Sequence, residues 1–198
     1  MAMSGLAISA LLLVRIYHGH EVSDIDVQAA WPETEAIFHS AGIGVAATDC
    51  SSGAGALARC ALPLGPAELV VRLGAAGTTP GTRAVTMGSS EVNDGSFGAP
   101  VLATVFVDRV SFVARESGVD GRQLLGRAMA HEIGHLLLNK ARHATRGLMR
   151  ALWSHVEFGR QQSSDWRFLD EEAGIMKAAI ATRAGERSMD DGLGRRAS

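Results

Sequence analysis

Residues 120–139 constrain the fold more than any other part of the chain, because they predict one long helix that is apolar on nearly every side. Asp120 is a good N-cap residue, and Asn139 readily adopts the left-handed conformation in which many helices end. Between them, apolar residues recur at helical spacing: Leu124, Leu125, Ala128, Met129, Ile133, Leu136 and Leu137. The sequence therefore predicts a helix that is buried in the core.

This buried helix also carries three polar residues, His131, Glu132 and His135. Residues four apart on a helix project from one face and lie about 6 Å apart along the axis, so the two histidines can share one metal ion. Neutral imidazoles suit Zn²⁺, and a neighbouring carboxylate can take a proton from the water that the metal activates. Because burying these groups without a partner is costly, the pattern predicts a zinc hydrolase.

A catalytic zinc ion needs a third protein ligand and an open position for water. His143 is the first candidate, since it lies eight residues after His135, beyond the segment 139–142 that can turn the chain back towards the helix. Other donors remain possible further along the chain: His155, Glu157, Glu171 and Glu172. The glutamates would correspond to an arrangement in which a distant carboxylate completes the site.

The segment Gly147-Leu148-Met149 follows these histidines, with Trp153 just beyond it. With the histidine motif, it resembles the metzincin clan of zinc peptidases, especially its matrixin-like members. In that clan an extended histidine motif on the active-site helix precedes a Met-turn, whose methionine lies under the metal. The resemblance implies that the zinc ligands are His131, His135 and His143, that Glu132 is the general base and that Met149 is the Met-turn residue.

The chain departs from the clan pattern after the second histidine. The clan has a glycine three residues later and its third ligand three residues after that, and these positions are Leu138 and Ala141 here. A ligand at His143 therefore requires a turn that is two residues longer. Asn139 can supply the reversal, because asparagine tolerates the left-handed region better than most residues.

The remaining periodicity predicts an alternation of strands and helices. We expect strands at 11–17, 43–47, 68–73 and 100–107, a short edge strand at 84–87, and helices at 23–41, 109–116 and 170–182. Pro32 should kink the first helix or mark its true first turn. The opening strand, helix and strand are compatible with parallel pairing. The resemblance implies an α+β fold, with a twisted and mostly parallel sheet, an antiparallel edge strand, the active-site helix, a Met-turn and a C-terminal helix.

We expect three segments along the chain. Residues 1–10 form an apolar N-terminal segment, 11–182 a single metallopeptidase-like catalytic domain, and 183–198 a disordered tail. Within the domain, residues 154–165 are predicted to be polar and irregular. The apolar run at the start is too short for a transmembrane helix, so no membrane span is predicted.

Cys50 and Cys60 are the only cysteines. As a disulfide they would stabilise the fold by roughly 2.5–3 kcal/mol in the chain-entropy model, and they would indicate an oxidising compartment, so we expect a secreted or periplasmic protein. Two free thiols are the alternative.

His18 and His20 could bind a metal from an extended strand, but we expect both to face solvent.

We therefore predict a zinc-dependent endopeptidase that acts on a peptide or protein substrate as a monomer. The net charge of −2 gives no reason to expect a nucleic acid partner. Two alternatives remain open: a catalytically inert, zinc-stabilised binding module of the same fold, and a zinc hydrolase of non-peptide amides. Metal content without hydrolysis of any peptide would favour the first, and substrate profiling would identify the second.

Overall fold

The computed structural model describes residues 11–51, 58–76, 86–92, 99–160 and 162–194, without the side chains of residues 160 and 186–194. The predicted N-terminal segment 1–10 and residues 84–85 of the predicted edge strand lie outside this part of the chain. The described strands and helices, in chain order, are β1 (Leu11–His18), α1 (Asp24–Ser40), β2 (Gly44–Asp49), β3 (Glu68–Gly74), β4 (Gly88–Ser90), β5 (Leu102–Phe106), α2 (Val107–Ser117), α3 (Gly121–Leu138), α4 (His155–Arg160) and α5 (Asp170–Gly194).

The five strands form one sheet in the order β2-β1-β3-β5-β4. β1, β2, β3 and β5 pair in parallel, whereas β4 pairs antiparallel with β5 at the edge. β1 and β2 are joined through α1, which is the usual way to connect parallel neighbours. The predicted α+β fold with a mostly parallel sheet and an antiparallel edge strand is confirmed.

Helix α3 is the element around which the core is built. Every residue from Leu124 to Leu138 is buried, and the helix contacts α1, α2, α5, β4 and β5. The Asp120 carboxylate accepts hydrogen bonds from the backbone N–H groups of Arg122 and Gln123, at 2.8 and 2.9 Å. Asn139 ends the helix in the left-handed conformation, with φ of 47°. The predicted start, end and burial of this helix are all confirmed.

Four details differ from the sequence predictions. Pro32 lies inside a continuous α1 that begins after the Ser23 cap, so it does not mark the first turn. Residues 86–87 of the predicted edge strand precede the observed one, Gly88–Ser90, which the sequence did not predict because its Gly and Ser residues carry little strand propensity. The segment predicted to be irregular, 154–165, contains α4. α5 continues to Gly194, and so includes most of the segment predicted to be a disordered tail.

The disulfide between Cys50 and Cys60 is present, with a Cα–Cα distance of 5.6 Å. It ties the end of β2 to the short 3₁₀ turn Ala58–Ala61. Within the described residues, no helix is both long and apolar enough to cross a membrane.

A buried ion pair lies on the sheet face opposite the alternating core residues of β1. The Arg15 guanidinium and the Glu68 carboxylate are each about 4% exposed, and Arg15 Nη2 is 2.5 Å from Glu68 Oε2. Arg15 also donates to the carbonyl oxygens of Leu62 and Pro63, which fixes the loop before β3. Burial alone would raise the pKa of Glu68, but hydrogen bonds from Gly65 and Arg15 outweigh it and hold the pKa below its ordinary value.

We expect Glu68→Ala to lower the free energy of unfolding by about 3–5 kcal/mol, because it leaves the Arg15 charge buried without its partner. Because the folded-state pKa of Glu68 is depressed, its stabilisation is present above the ordinary pKa and is lost as pH falls through the lowered one. Denaturant titrations of wild type and Glu68→Ala between neutral and acidic pH check this. A stability difference that does not shrink on acidification would contradict it.

Candidate metal centre

Three histidines converge beside α3. His131 and His135 lie one turn apart on the helix, and His143 approaches from the chain that follows Asn139. His135 Nε2 lies 3.1 Å from His131 Nε2 and 3.2 Å from His143 Nε2. Ligand nitrogens of a tetrahedral zinc site, with bonds of about 2.0–2.1 Å, are about 3.3–3.4 Å apart, so the arrangement is close to a zinc coordination sphere.

The hydrogen bonds on the far side of two of these rings define their tautomers. His131 Nδ1 lies 2.9 Å from the carbonyl oxygen of Leu148, and His135 Nδ1 lies 2.7 Å from that of Lys140. A carbonyl oxygen can only accept, so each Nδ1 carries the proton and each neutral ring presents an Nε2 lone pair. Histidines that ligate metals usually donate their second N–H in this way.

The surroundings also favour neutral rings. Burial lowers the pKa of His131 to about 3, and the neighbouring His135 adds to this effect. Burial likewise lowers the pKa of His135 and of His143. The Nε2 lone pairs of His131 and His135, 3.1 Å apart, repel unless a cation lies between them, and the three rings fit a divalent metal ion.

The turn at Gly147–Met149 packs against α3 beside these rings. The backbone N–H of Ala144 donates to the Met149 carbonyl oxygen at 2.8 Å, which ties the chain next to His143 to the turn. Met149 is buried, and a Cβ added to Gly134 would lie 2.7 Å from its Sδ, so only glycine at 134 lets the methionine pack this closely on α3. Gly147 has a φ of +75°, which glycine tolerates best.

Glu132 is buried next to the three histidines and is contacted by β4. The Ser90 hydroxyl lies 2.5 Å from Glu132 Oε2 and 2.9 Å from the Glu132 carbonyl oxygen. A Cβ added to Gly88 would lie 2.5 Å from Glu132 Oε1, so a side chain at 88 would displace the carboxylate. Burial raises the pKa of Glu132 to about 7, although the Ser90 hydrogen bond opposes this. A carboxyl with this pKa can both take up and release a proton near neutral pH.

A cavity of about 390 Å³ opens onto the three rings and Glu132. One wall is formed by β4 and the residues beside it, and the opposite wall by Arg150 to Trp153. The indole of Trp153 packs edge-on against His131, with ring centroids 5.5 Å apart, and its Nε1 donates to the Leu148 carbonyl oxygen at 3.2 Å. The cavity is therefore lined both by the three histidine rings and by the edge strand of the sheet.

The alternative third ligands lie elsewhere. In the described part of the chain, only two groups of three His, Cys, Asp or Glu side chains bring their donor atoms within 4.8 Å of one another. The group beside α3 consists of His131, His135 and His143. His155 lies on α4, and Glu157 pairs with Arg150 at 3.3 Å. Glu172 accepts a hydrogen bond from the Leu169 backbone at the start of α5.

Gly88 and Ser90 are site residues that the sequence analysis did not identify. They lie more than 40 positions before Glu132, and only the pairing of β4 with β5 brings them to α3. A Gly-Ser-Ser segment predicts neither a strand nor a catalytic contact, so no signal in a single sequence could have found them.

We expect Ser90→Ala to lower kcat about tenfold, because a hydrogen bond to a charged group contributes roughly 1.5 kcal/mol and one such loss is a factor of ten in rate. Ser164→Ala is the matched control, since Ser164 is exposed and does not line the cavity. Zinc content should be the same in both variants. Equal kcat in Ser90→Ala and wild type would contradict the assignment.

No protein-family model matches the chain, and no curated protein is similar to it in sequence. Solved structures share its fold. A zinc-dependent peptidase from Methanocorpusculum labreanum superposes with a TM-score of 0.54 at 12% identity, over 82% of this chain and 99% of that one. Archaemetzincin from Methanopyrus kandleri superposes with a TM-score of 0.55 at 14% identity, over 87% and 97% of the two chains. The chain therefore has a metzincin-like fold.

Proposed function

We propose that this chain is a zinc-dependent endopeptidase in which His131, His135 and His143 hold the metal and Glu132 is the general base. The observation that carries the proposal is the convergence of three imidazole Nε2 atoms, two of them fixed as lone-pair donors, beside a buried carboxylate. The fold supports it, since one of the structures similar to this chain is named as a zinc-dependent peptidase. The matrixin-like part of the sequence prediction stays a prediction.

A zinc ion held there would polarise the scissile carbonyl and lower the pKa of a water molecule. Glu132 would take one proton from that water as its oxygen bonds to the carbonyl carbon. The same carboxyl would then pass the proton to the nitrogen of the leaving amine as the C–N bond breaks. Burial of Glu132, which raises its pKa, favours uptake of the proton from water.

We assign three residues supporting roles that do not involve reacting atoms. Ser90 holds one carboxylate oxygen of Glu132, and Gly88 leaves room for the other. Met149 packs on α3 at Gly134 and supports the turn whose Leu148 carbonyl orients His131. The site is thus held by the sheet on one side and by the turn on the other.

Edge strand β4 supports a peptide substrate rather than a small molecule. It lies at the end of the sheet beside the cavity, where an extended peptide can add by main-chain hydrogen bonds. The cavity continues past the metal-binding rings to Leu152 and Trp153, which leaves room for residues on both sides of the scissile bond. This open arrangement supports cleavage within a chain rather than at its end.

Zinc analysis together with a peptide-library digest tests the proposal. We expect one zinc ion bound by the triad and cleavage at internal bonds, both lost after chelation and restored by added Zn²⁺. Bound zinc without cleavage of any peptide would favour the inert binding module. Turnover of a non-peptide amide alone would favour a zinc hydrolase of non-peptide amides.

We also propose the setting in which the enzyme acts. The Cys50–Cys60 disulfide supports an oxidising compartment, either outside the cell or in the periplasm. We also propose that residues 11–182 form a single catalytic domain. The active unit would be a monomer, and it would have no nucleic acid partner.

A further inference from the structure

His18, Asp24 and Asp49 form a second cluster of potential metal ligands, which the proposed peptidase chemistry does not use. One donor atom from each lies within 4.8 Å of the others. His18 ends β1, Asp24 opens α1 and Asp49 ends β2. β1 and β2 are separated by β3 and β5 from the edge strand beside the catalytic cavity, so the cluster is remote from the triad.

The His18 ring is held in a defined orientation. Its side chain is only 4% exposed, and its Nδ1 lies 3.2 Å from the carbonyl oxygen of Gly19, which can only accept a hydrogen bond. Nδ1 therefore carries the ring proton. In the neutral ring, Nε2 presents a lone pair, and it lies 3.4 Å from Asp24 Oδ1 and 3.3 Å from Asp49 Oδ2.

Asp49 is oriented as well. Its Oδ1 accepts a hydrogen bond from the backbone N–H of Ser51 at 2.9 Å, which leaves Oδ2 directed at the His18 ring. The Ser51 hydroxyl in turn accepts from the His18 backbone N–H at 2.8 Å. Such bonds to the far atoms of donor groups are what orients the ligands of metal sites.

An imidazole lone pair directed at two carboxylate oxygens is repulsive unless a positive charge lies between them. The cluster thus attracts positive charge, either as a proton on Nε2 or as a metal ion. The two distances from His18 Nε2 to the carboxylate oxygens, 3.4 and 3.3 Å, fit a zinc site, because donors of a tetrahedral zinc ion with bonds of about 2.0–2.2 Å are about 3.3–3.6 Å apart.

We propose that His18, Asp24 and Asp49 bind a second divalent transition-metal ion, of which Zn²⁺ is the natural probe. One imidazole and two carboxylates give a neutral site around a divalent ion, and the exposed carboxylates leave its remaining positions to water. The ion would join the ends of β1 and β2 to the first turn of α1, next to the Cys50–Cys60 disulfide. Its role is to stabilise this corner of the fold and not to take part in peptide cleavage.

Metal stoichiometry of the full chain tests the second site independently of activity. After equilibrium dialysis against Zn²⁺ at mildly alkaline pH, where protons compete less, we expect two zinc ions per wild-type chain. His18→Ala and Asp49→Asn should each bind one, and His143→Ala should keep the ion at His18. His20→Ala is the matched control, because the His20 side chain lies close to His18 in the chain and is fully exposed. This variant should bind two zinc ions.

The same titration followed by thermal unfolding gives a second readout. Zinc added beyond the first equivalent should raise the Tm of wild type and of His20→Ala, but not that of His18→Ala. A wild-type chain that binds only one zinc ion, which is lost in His143→Ala and kept in His18→Ala, overturns the second site. So does a second zinc ion that remains in His18→Ala and Asp49→Asn. One zinc ion that is lost in His18→Ala but kept in His143→Ala would instead overturn the proposed catalytic centre.

Discussion

Glu132→Gln is expected to retain zinc and to lower kcat for peptide cleavage by about 10²–10⁴-fold, the usual contribution of a general base. The amide has nearly the shape of the carboxyl, so the contact with Ser90 and the space beside Gly88 are preserved. What the substitution removes is the ability to accept a proton from water. Steady-state kinetics on one internally cleaved peptide, with zinc measured on the same samples, checks this.

The control for this variant is Glu35→Gln on α1. Glu35 is exposed and its loss should change neither kcat nor zinc content. If the chain is instead a catalytically inert binding module, wild type and both variants should be equally inactive. Undiminished turnover in Glu132→Gln would show that Glu132 is not the general base, but it would not contradict the proposed metal centre.

His143→Ala is expected to weaken zinc binding by more than about 100-fold, since even the loss of an outer-shell partner costs 10–100-fold. The catalytic rate should fall with the bound metal. His155→Ala is the matched control, because His155 is an exposed histidine in the next helix and was the other histidine able to complete the site. It should bind zinc as wild type does.

Competitive titration against a chromophoric chelator measures both affinities at the catalytic centre. The His18→Ala background keeps the proposed second site from contributing to the signal. If His155→Ala loses zinc and His143→Ala keeps it, the third ligand has been assigned to the wrong histidine. The distance of 3.2 Å between His135 and His143 Nε2 predicts the opposite order.

The sequence was most informative where local chemistry decides the structure. Asp120 and Asn139 cap α3 as expected, and His131 and His135 face the same way because helical geometry alone places residues four apart on one side. The approach of His143 was harder to predict. It required a longer turn than the clan motif, and Asn139 supplies that reversal with its positive φ.

The features that depend on distant parts of the chain were not predictable. The edge strand is a Gly-Ser-Ser segment without strand character, and it forms because β5 offers an edge to pair with. Ser90 meets Glu132 only through that pairing. His18 was expected to face solvent at a strand end, yet the ends of β2 and α1 close over it and leave its side chain only 4% exposed.

Diffraction from crystals grown with zinc, with data collected on both sides of the zinc absorption edge, tests the central claim most directly. We expect an anomalous peak beside α3, within about 2.1 Å of the Nε2 atoms of His131, His135 and His143. Glu132 should lie beside this peak without being bound to it. A peak coordinated by His131 and His135 while the His143 ring points away, or no peak on α3 at all, would contradict it.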